Sequence, residues 1–184
     1  MVGLSGSIRS TKIDNSTFLV SDKYINQYTF EMNLGKFVAD KNLIGLVFNT
    51  TRNQSAGYLD IEQELITLGP QYRLYMGNKP DMGLFARTVI FWAYYVENSV
   101  GSQGIYLVDE TLKGNGLGAD IGFGYSFVIA DKVAFEIGFD YMLAHFKGEF
   151  HDNLLGTNEN VTFNRHDYRF SFGFSILFNR LKDE

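Results

Sequence analysis

The stretch that most constrains this chain is Tyr168-Arg-Phe-Ser-Phe-Gly-Phe-Ser-Ile-Leu-Phe178. Its even-numbered positions are Tyr168, Phe170, Phe172, Phe174, Ile176 and Phe178, and its odd ones are Arg169, Ser171, Gly173, Ser175 and Leu177. Successive side chains of a strand point to opposite faces, so one face is aromatic and the other is small or charged. Alternation sustained over such a length marks a transmembrane β-barrel strand.

The pattern recurs along the chain. Val2, Leu4, Gly6 and Ile8 alternate with Gly3, Ser5, Ser7 and Arg9, and Tyr28, Phe30, Met32 and Leu34 with Thr29, Glu31, Asn33 and Gly35. Ile44, Leu46 and Phe48 form a third run; Ile66, Leu68, Pro70, Tyr72 and Leu74 oppose Thr67, Gly69, Gln71, Arg73 and Tyr75 in a fourth. The fifth sets Leu84 to Tyr94 against Phe85, Arg87, Val89, Phe91, Ala93 and Tyr95; both faces are bulky there, and Arg87 decides which one avoids lipid. Leu117 to Phe127 and Val133 to Leu143 complete the set before the final strand. Short turns are expected at about 37–42, 77–81 and 130–132, and long polar loops at about 14–27, 51–60, 97–115 and 148–165. The count is eight strands with connections alternating short and long. Phe37-Val-Ala-Asp-Lys41 echoes Phe127-Val-Ile-Ala-Asp-Lys132 at equivalent turns, either as a remnant of hairpin duplication or as convergent turn chemistry.

Length and composition bound the rest. At 184 residues the chain reads as one domain, 1–184, with strands within 2–178 and a short tail, 179–184. The longest apolar run, Val89 to Val96, is strand-sized and far short of a spanning helix. The net charge of −5 argues against a nucleic-acid partner, and the absence of cysteine excludes disulfides and thiol chemistry. Met1 leads directly into strand-like sequence without a basic and then apolar leader, so the chain reads as a mature form behind a start methionine.

Alternation alone does not distinguish a membrane barrel from a soluble, lipocalin-like ligand-binding one, whose apolar face points inward. Volume does. An eight-stranded barrel has room inside only for packed side chains or one small ligand, and the large face carries far more than that. The small face is mostly Gly, Ser, Ala, Asn and Asp, and the lysines fall in or beside turns, loops or termini. The large face is therefore expected to meet lipid. The small face carries Arg9, Arg73, Arg87 and Arg169 against Glu31, Asp120, Glu136 and Asp140. Arginine suits buried pairing, because its planar fork binds carboxylates bidentately and stays charged. These eight are expected to form an ion-pair network that plugs the lumen, leaving no pore.

On strand number, the Gly69-Pro-Gln-Tyr-Arg-Leu-Tyr75 strand, the glycine-rich sixth strand and the closing strand ending at Phe178, the chain resembles the small eight-stranded outer-membrane barrels of the OmpA-transmembrane/OmpX-like group. The resemblance covers about residues 2 to 178. It implies an all-β, eight-stranded, antiparallel up-and-down transmembrane β-barrel in the outer membrane of a Gram-negative bacterium, with termini and short turns periplasmic and long loops outside. It departs from the group where Asn179-Arg-Leu-Lys-Asp-Glu184 follows the terminal aromatic.

Chemistry is sparse. His145, His151 and His166 are the first candidates. Lipid A palmitoyltransferases and deacylases share the architecture, but His145-Phe-Lys147 lacks the serine that a deacylase needs, and a charged lumen does not suit an acyl pocket. Nothing fixes a serine beside a base. His151-Asp152 and His166-Asp167 fall short of a metal set. Glu97, Asp109, Glu110, Glu149, Asp152 and Glu159 read as solvated surface, and Trp92, Tyr94, Tyr95, Tyr141 and Tyr168 as an interfacial girdle. Ile105, Tyr106, Leu107, Leu154 and Leu155 are too apolar for idle loops and are candidate partner contacts, unless they extend strands or cap the barrel. The expectation is a non-enzymatic structural or interaction barrel, such as an accessory subunit of a larger outer-membrane complex. It uses no cofactor and meets outer-membrane lipid, lipopolysaccharide and other outer-membrane proteins. The alternatives are a lipid A-modifying enzyme and the soluble barrel.

Overall fold

The computed structural model describes residues 1–14, 25–55, 59–77, 83–103, 106–130 and 133–176, with side chains described for 1–2, 28–55, 59–77, 83–102, 107–129 and 133–176. The strands are β1 (Val2–Asp14), β2 (Ile25–Ala39), β3 (Asn42–Ser55), β4 (Leu59–Tyr75), β5 (Gly83–Gln103), β6 (Tyr106–Ala130), β7 (Val133–Asp152) and β8 (Thr157–Ile176). Each pairs antiparallel with the next, and β8 pairs back onto β1 from Val2↔Ile176 to Asp14↔Asn164, the order of a closed barrel. The all-β, antiparallel up-and-down architecture expected from the alternation is present. Leu177, Phe178 and the tail lie outside the described residues.

Burial alternates with the sequence. Leu68, Tyr72, Ile90, Trp92, Ile121, Phe123, Phe170 and Phe174 are exposed on the outer wall, while Arg73, Arg87, Asp120 and Arg169 are buried on the inner one. Bulky side chains therefore face outward, as the volume argument requires, and Arg87 does settle the faces of β5.

The loops are where the sequence reading fails. Positions 51–55, 97–103, 106–115, 148–152 and 157–165 are strand. β6 has 25 residues and β5 has 21, about twice the ~9–11 that cross a bilayer. The upper parts of β5–β8 therefore continue as a sheet past the apolar belt. On β3 and β4 too, polar residues read as loop pair across strands. Arg52 Nε donates to Glu62 Oε1 at 2.7 Å, Gln54 donates to the same oxygen at 3.2 Å, and Asn53 donates to Gln63 at 3.1 Å. At the upper end of β7 the chain reverses within 153–156. Asp152 Oδ1 accepts from the backbone N–H of Leu154 and Leu155 at 2.9 and 3.0 Å, and Gly156 supplies the left-handed φ of +66°. At the opposite end, the two Phe-Val…Ala-Asp-Lys turns each follow a register shift, between Phe37 and Ala39 and between Val128 and Ala130. The sequence echo thus marks a shared bulge.

Candidate functional site

The interior is stacked in layers. Nearest the short turns, Leu43, Tyr75 and Phe85 pack together with Phe37 and Met1 against them. Above them, Arg73 Nη1 donates to Glu136 Oε2 at 2.9 Å, its Nε donates to Gln71 at 3.1 Å, and its Cζ lies 5.1 Å from the Phe85 ring centre.

The next layer joins five strands. Arg87 on β5 reaches Glu31 on β2 at 2.7 Å, Asp140 on β7 at 3.0 Å and Asp120 on β6 at 3.6 Å. Arg169 on β8 reaches Asp120 at 2.5 Å, Glu31 at 3.2 Å and Asp140 at 3.5 Å. Among the described residues two guanidinium groups thus share three carboxylates, all at least 94 % shielded from solvent. Asn49 donates to Glu31 Oε2 and Ser171 to Asp140 Oδ2, each at 3.4 Å, the same oxygens that Arg169 reaches. Gly122 makes room for this layer: a β-carbon there would lie 2.0 Å from Asp140 Oδ1.

Toward the long end the lumen turns apolar. Val47, Leu65, Val89, Phe91, Ala93, Tyr95, Leu112, Met142, Ala144, Phe146 and Phe163 form one cluster. Phe146 and Phe163 stack at 5.0 Å, and Tyr95 meets Phe163 edge-on at 5.5 Å. A polar group lies on top. Tyr95 donates to Glu97 at 2.5 Å, Gln63 donates to Glu97 at 2.6 Å, and fully buried Arg165 donates to fully buried Asp167 at 3.2 Å with its Cζ 5.2 Å from the Tyr95 ring centre. At the rim Glu110 faces Asp152 across β6 and β7, and burial followed by the charges of Asp152 and Glu97 pushes the Glu110 carboxyl above its ordinary range. A void of about 20 Å³ beside Glu31, Arg73 and Glu136 is large enough for about one water.

Of the sequence-proposed network, Glu31, Arg73, Arg87, Asp120, Glu136, Asp140 and Arg169 are thus brought into two adjoining ionic layers. Arg9 sits on β1 opposite Arg169 in register, and its side chain lies outside the described residues. Of the candidate contacts, Leu107, Leu154 and Leu155 are exposed at the long end, whereas Ile105 and the Tyr106 side chain lie outside the described residues.

Several sequence expectations are corrected. The inner face is not uniformly small or charged, since its upper half is aromatic. Tyr95 belongs to that interior and not to the girdle, and Glu97 is a buried acceptor, not solvated surface. Arg165 and Asp167 were missed as interior residues; their odd numbering, shared with Arg169, was the available signal. Lys113 and Lys147 lie inside β6 and β7, not beside a turn. The histidines do not converge. His145 bonds Asn164 at 2.8 Å, His151 bonds Asn158, and His166 bonds the Tyr141 hydroxyl at 2.7 Å. His166 and Asp167 are on opposite faces of β8, so adjacency in sequence does not let them clasp one ion.

The outer wall above the apolar belt differs from strand to strand. On β3 and β4, Arg52 and Glu62 pair, and the Arg52 hydrogen bond, with that of Gln54 behind it, holds the Glu62 carboxyl below its ordinary range. On β5–β8 a cleft of about 520 Å³ is lined by Tyr94, Lys113, Asn115, Lys147, Glu149, Asn160 and Thr162 among others.

No protein-family model and no curated protein matches the chain. Solved structures do. The translocator domain of the autotransporter NalP from Neisseria meningitidis superposes with a TM-score of 0.57 at 8% identity, over 96% of this chain and 87% of that one. Neisserial surface protein A (NspA) superposes with a TM-score of 0.55 at 14% identity, over 96% of both chains.

Proposed function

We infer from these likenesses that the fold is that of the small outer-membrane β-barrels. From this premise we propose that the chain is an eight-stranded transmembrane barrel of a Gram-negative outer membrane, with its short turns in the periplasm and the tall ends of β5–β8 outside. Its role is non-enzymatic: a sealed barrel that presents its outer wall and its extended hairpins to lipid and to other outer-membrane proteins.

The observation that carries this is the filled lumen. Among the described residues, ionic layers and an aromatic layer follow one another along the barrel interior and occupy the space that an aqueous path or an acyl chain would need. Transport and acyl transfer both need such space. What remains exposed is the wall and the tip, where Leu107, Leu154 and Leu155 are 53–76 % exposed.

Two measurements test the reading. In planar bilayers the purified protein is expected to give no stable ion conductance, and steady unitary currents would overturn the sealed lumen. A tagged pull-down from native membranes in mild detergent is expected to recover a stoichiometric outer-membrane partner that a Leu154→Ser/Leu155→Ser variant loses. Recovery of the barrel alone, with both forms alike, would remove the interaction role.

A further inference from the structure

Among the described residues a closed ion pair marks the β3–β4 side of the outer polar band, while on β6–β7 two lysines share one face with a single carboxylate, Glu149. Arg52 is paired with Glu62, whereas neither Lys113 nor Lys147 has a carboxylate within the 4.0 Å of an ion pair. The register pairs Lys113 with Glu149 and Asn115 with Lys147 on β6 and β7. The two lysines are therefore diagonal neighbours on one face, with β-carbons about 7 Å apart, and flexible enough for both ammonium groups to reach one anion.

Their surroundings set the anion's source. The same register runs from Tyr94 through Asn115 and Lys147 to Thr162, one step above the row of Trp92, Leu117, His145 and Asn164. Trp92 and Tyr94 stack at 6.4 Å, and aromatic rings of this kind sit at the headgroup level of a membrane. Below them Ile90, Leu117, Ile121 and Leu143 are exposed and apolar. The cleft between the lysines and Thr162 thus opens where a lipid's headgroup meets its chains.

We propose that Lys113 and Lys147 form a binding site for the phosphate of an outer-leaflet phosphorylated glycolipid of the lipid A class, with Asn115, Asn160 and Thr162 as hydrogen-bonding neighbours and the wall below holding the acyl chains. The proposal rests on the membrane reading above and deepens its lipid contact into a defined site. Two surface cations, partly offset by the Glu149 carboxylate beside them, give about a tenfold preference for the charged headgroup.

The test starts with reconstitution into phosphatidylcholine vesicles, where flotation of wild type and Lys113→Gln/Lys147→Gln alike shows that both are membrane-inserted. Failure to float would remove the membrane reading itself. Native mass spectrometry in detergent then measures binding of bisphosphorylated lipid A and of its dephosphorylated form. Wild type is expected to bind the phosphorylated lipid about tenfold more tightly, and the double variant to bind both equally. An Arg52→Gln control should behave as wild type. Equal binding of both lipids by wild type, or an unchanged preference in the double variant, would overturn the site. Displacement of the lipid by millimolar inorganic phosphate would overturn the lipid as its ligand.

Discussion

The lower lumen is closed by Arg87 and Arg169 sharing Glu31, Asp120 and Asp140, whereas the upper lumen is closed by Tyr95, Phe146 and Phe163 in ring contact. The two plugs do different work. An aromatic plug gains from apolar burial and tolerates small shifts of its members. The ionic plug draws one partner from each of β2, β5, β6, β7 and β8, and a slip of one residue in any of them would turn a charge toward lipid. Charge therefore specifies register, and the aromatic layer fills space above a register already set.

The comparison is broken most severely by removing one arginine. Arg169→Ala removes one of the two described arginines shared by Glu31, Asp120 and Asp140, at an expected cost of about 3–5 kcal/mol in urea unfolding of the reconstituted barrel. Unchanged stability would mean that the layer is hydrated and its pairs incidental. On the aromatic side, Phe146→Ala opens a cavity beneath Tyr95 and Phe163. The expected loss is about 3 kcal/mol, at the lower end for such truncations because both rings can settle into the space. Raising the ionic strength should alter the unfolding midpoint of the arginine variant relative to wild type and leave that of the phenylalanine variant in step with it. Parallel salt responses in all three would erase the distinction between the plugs.

A finer probe is steric. A β-carbon at Gly122 would lie 2.0 Å from Asp140 Oδ1 and 2.9 Å from the Phe139 carbonyl oxygen. Gly122→Ala must displace the Asp140 carboxylate from Arg87 or shift the strand, at about 1–3 kcal/mol. A double variant with Asp140→Asn should lose less than the sum of the two single changes, because both disturb the same pair. Strict additivity would place the strain in the backbone.

Which of these features the sequence disclosed follows from what has a period. Faces were legible because outward Phe170, Phe172 and Phe174 alternate with inward Arg169, Ser171 and Gly173. The ionic residues followed from the same parity. Strand limits were not legible, since above the apolar belt the outer face of β6 and β7 turns polar and Lys113, Asn115, Lys147 and Glu149 read like a loop. The aromatic plug was hidden for a related reason: in β5, Phe91 and Tyr95 alternate with Trp92 and Tyr94, so bulk alone assigned neither face. Arg165 and Asp167 shared the parity of Arg169 but lay inside a stretch already read as loop or rim.

The smallest effect sharpens the boundary between the upper plug and solvent. Glu110 faces Asp152 and lies near Glu97, and its carboxyl is held above the ordinary range by burial first and by those two charges second. A carboxyl whose proton is bound more tightly in the folded barrel favours the folded state at low pH. That contribution is present below the ordinary carboxylate range and is lost as pH rises through the raised folded value. Wild type should therefore lose stability across this window relative to Glu110→Gln, which keeps a neutral side chain throughout. The difference is on the order of a few tenths of a kcal/mol, because the rim is well solvated and screens the repulsion. Urea midpoints of the two proteins measured at intervals from pH 4 to pH 8 should diverge with rising pH, with the variant the more stable. Divergence in the opposite sense would mean that Glu110 is held charged by a favourable partner, and the rim would then continue the ionic chemistry of the lower lumen instead of ending it.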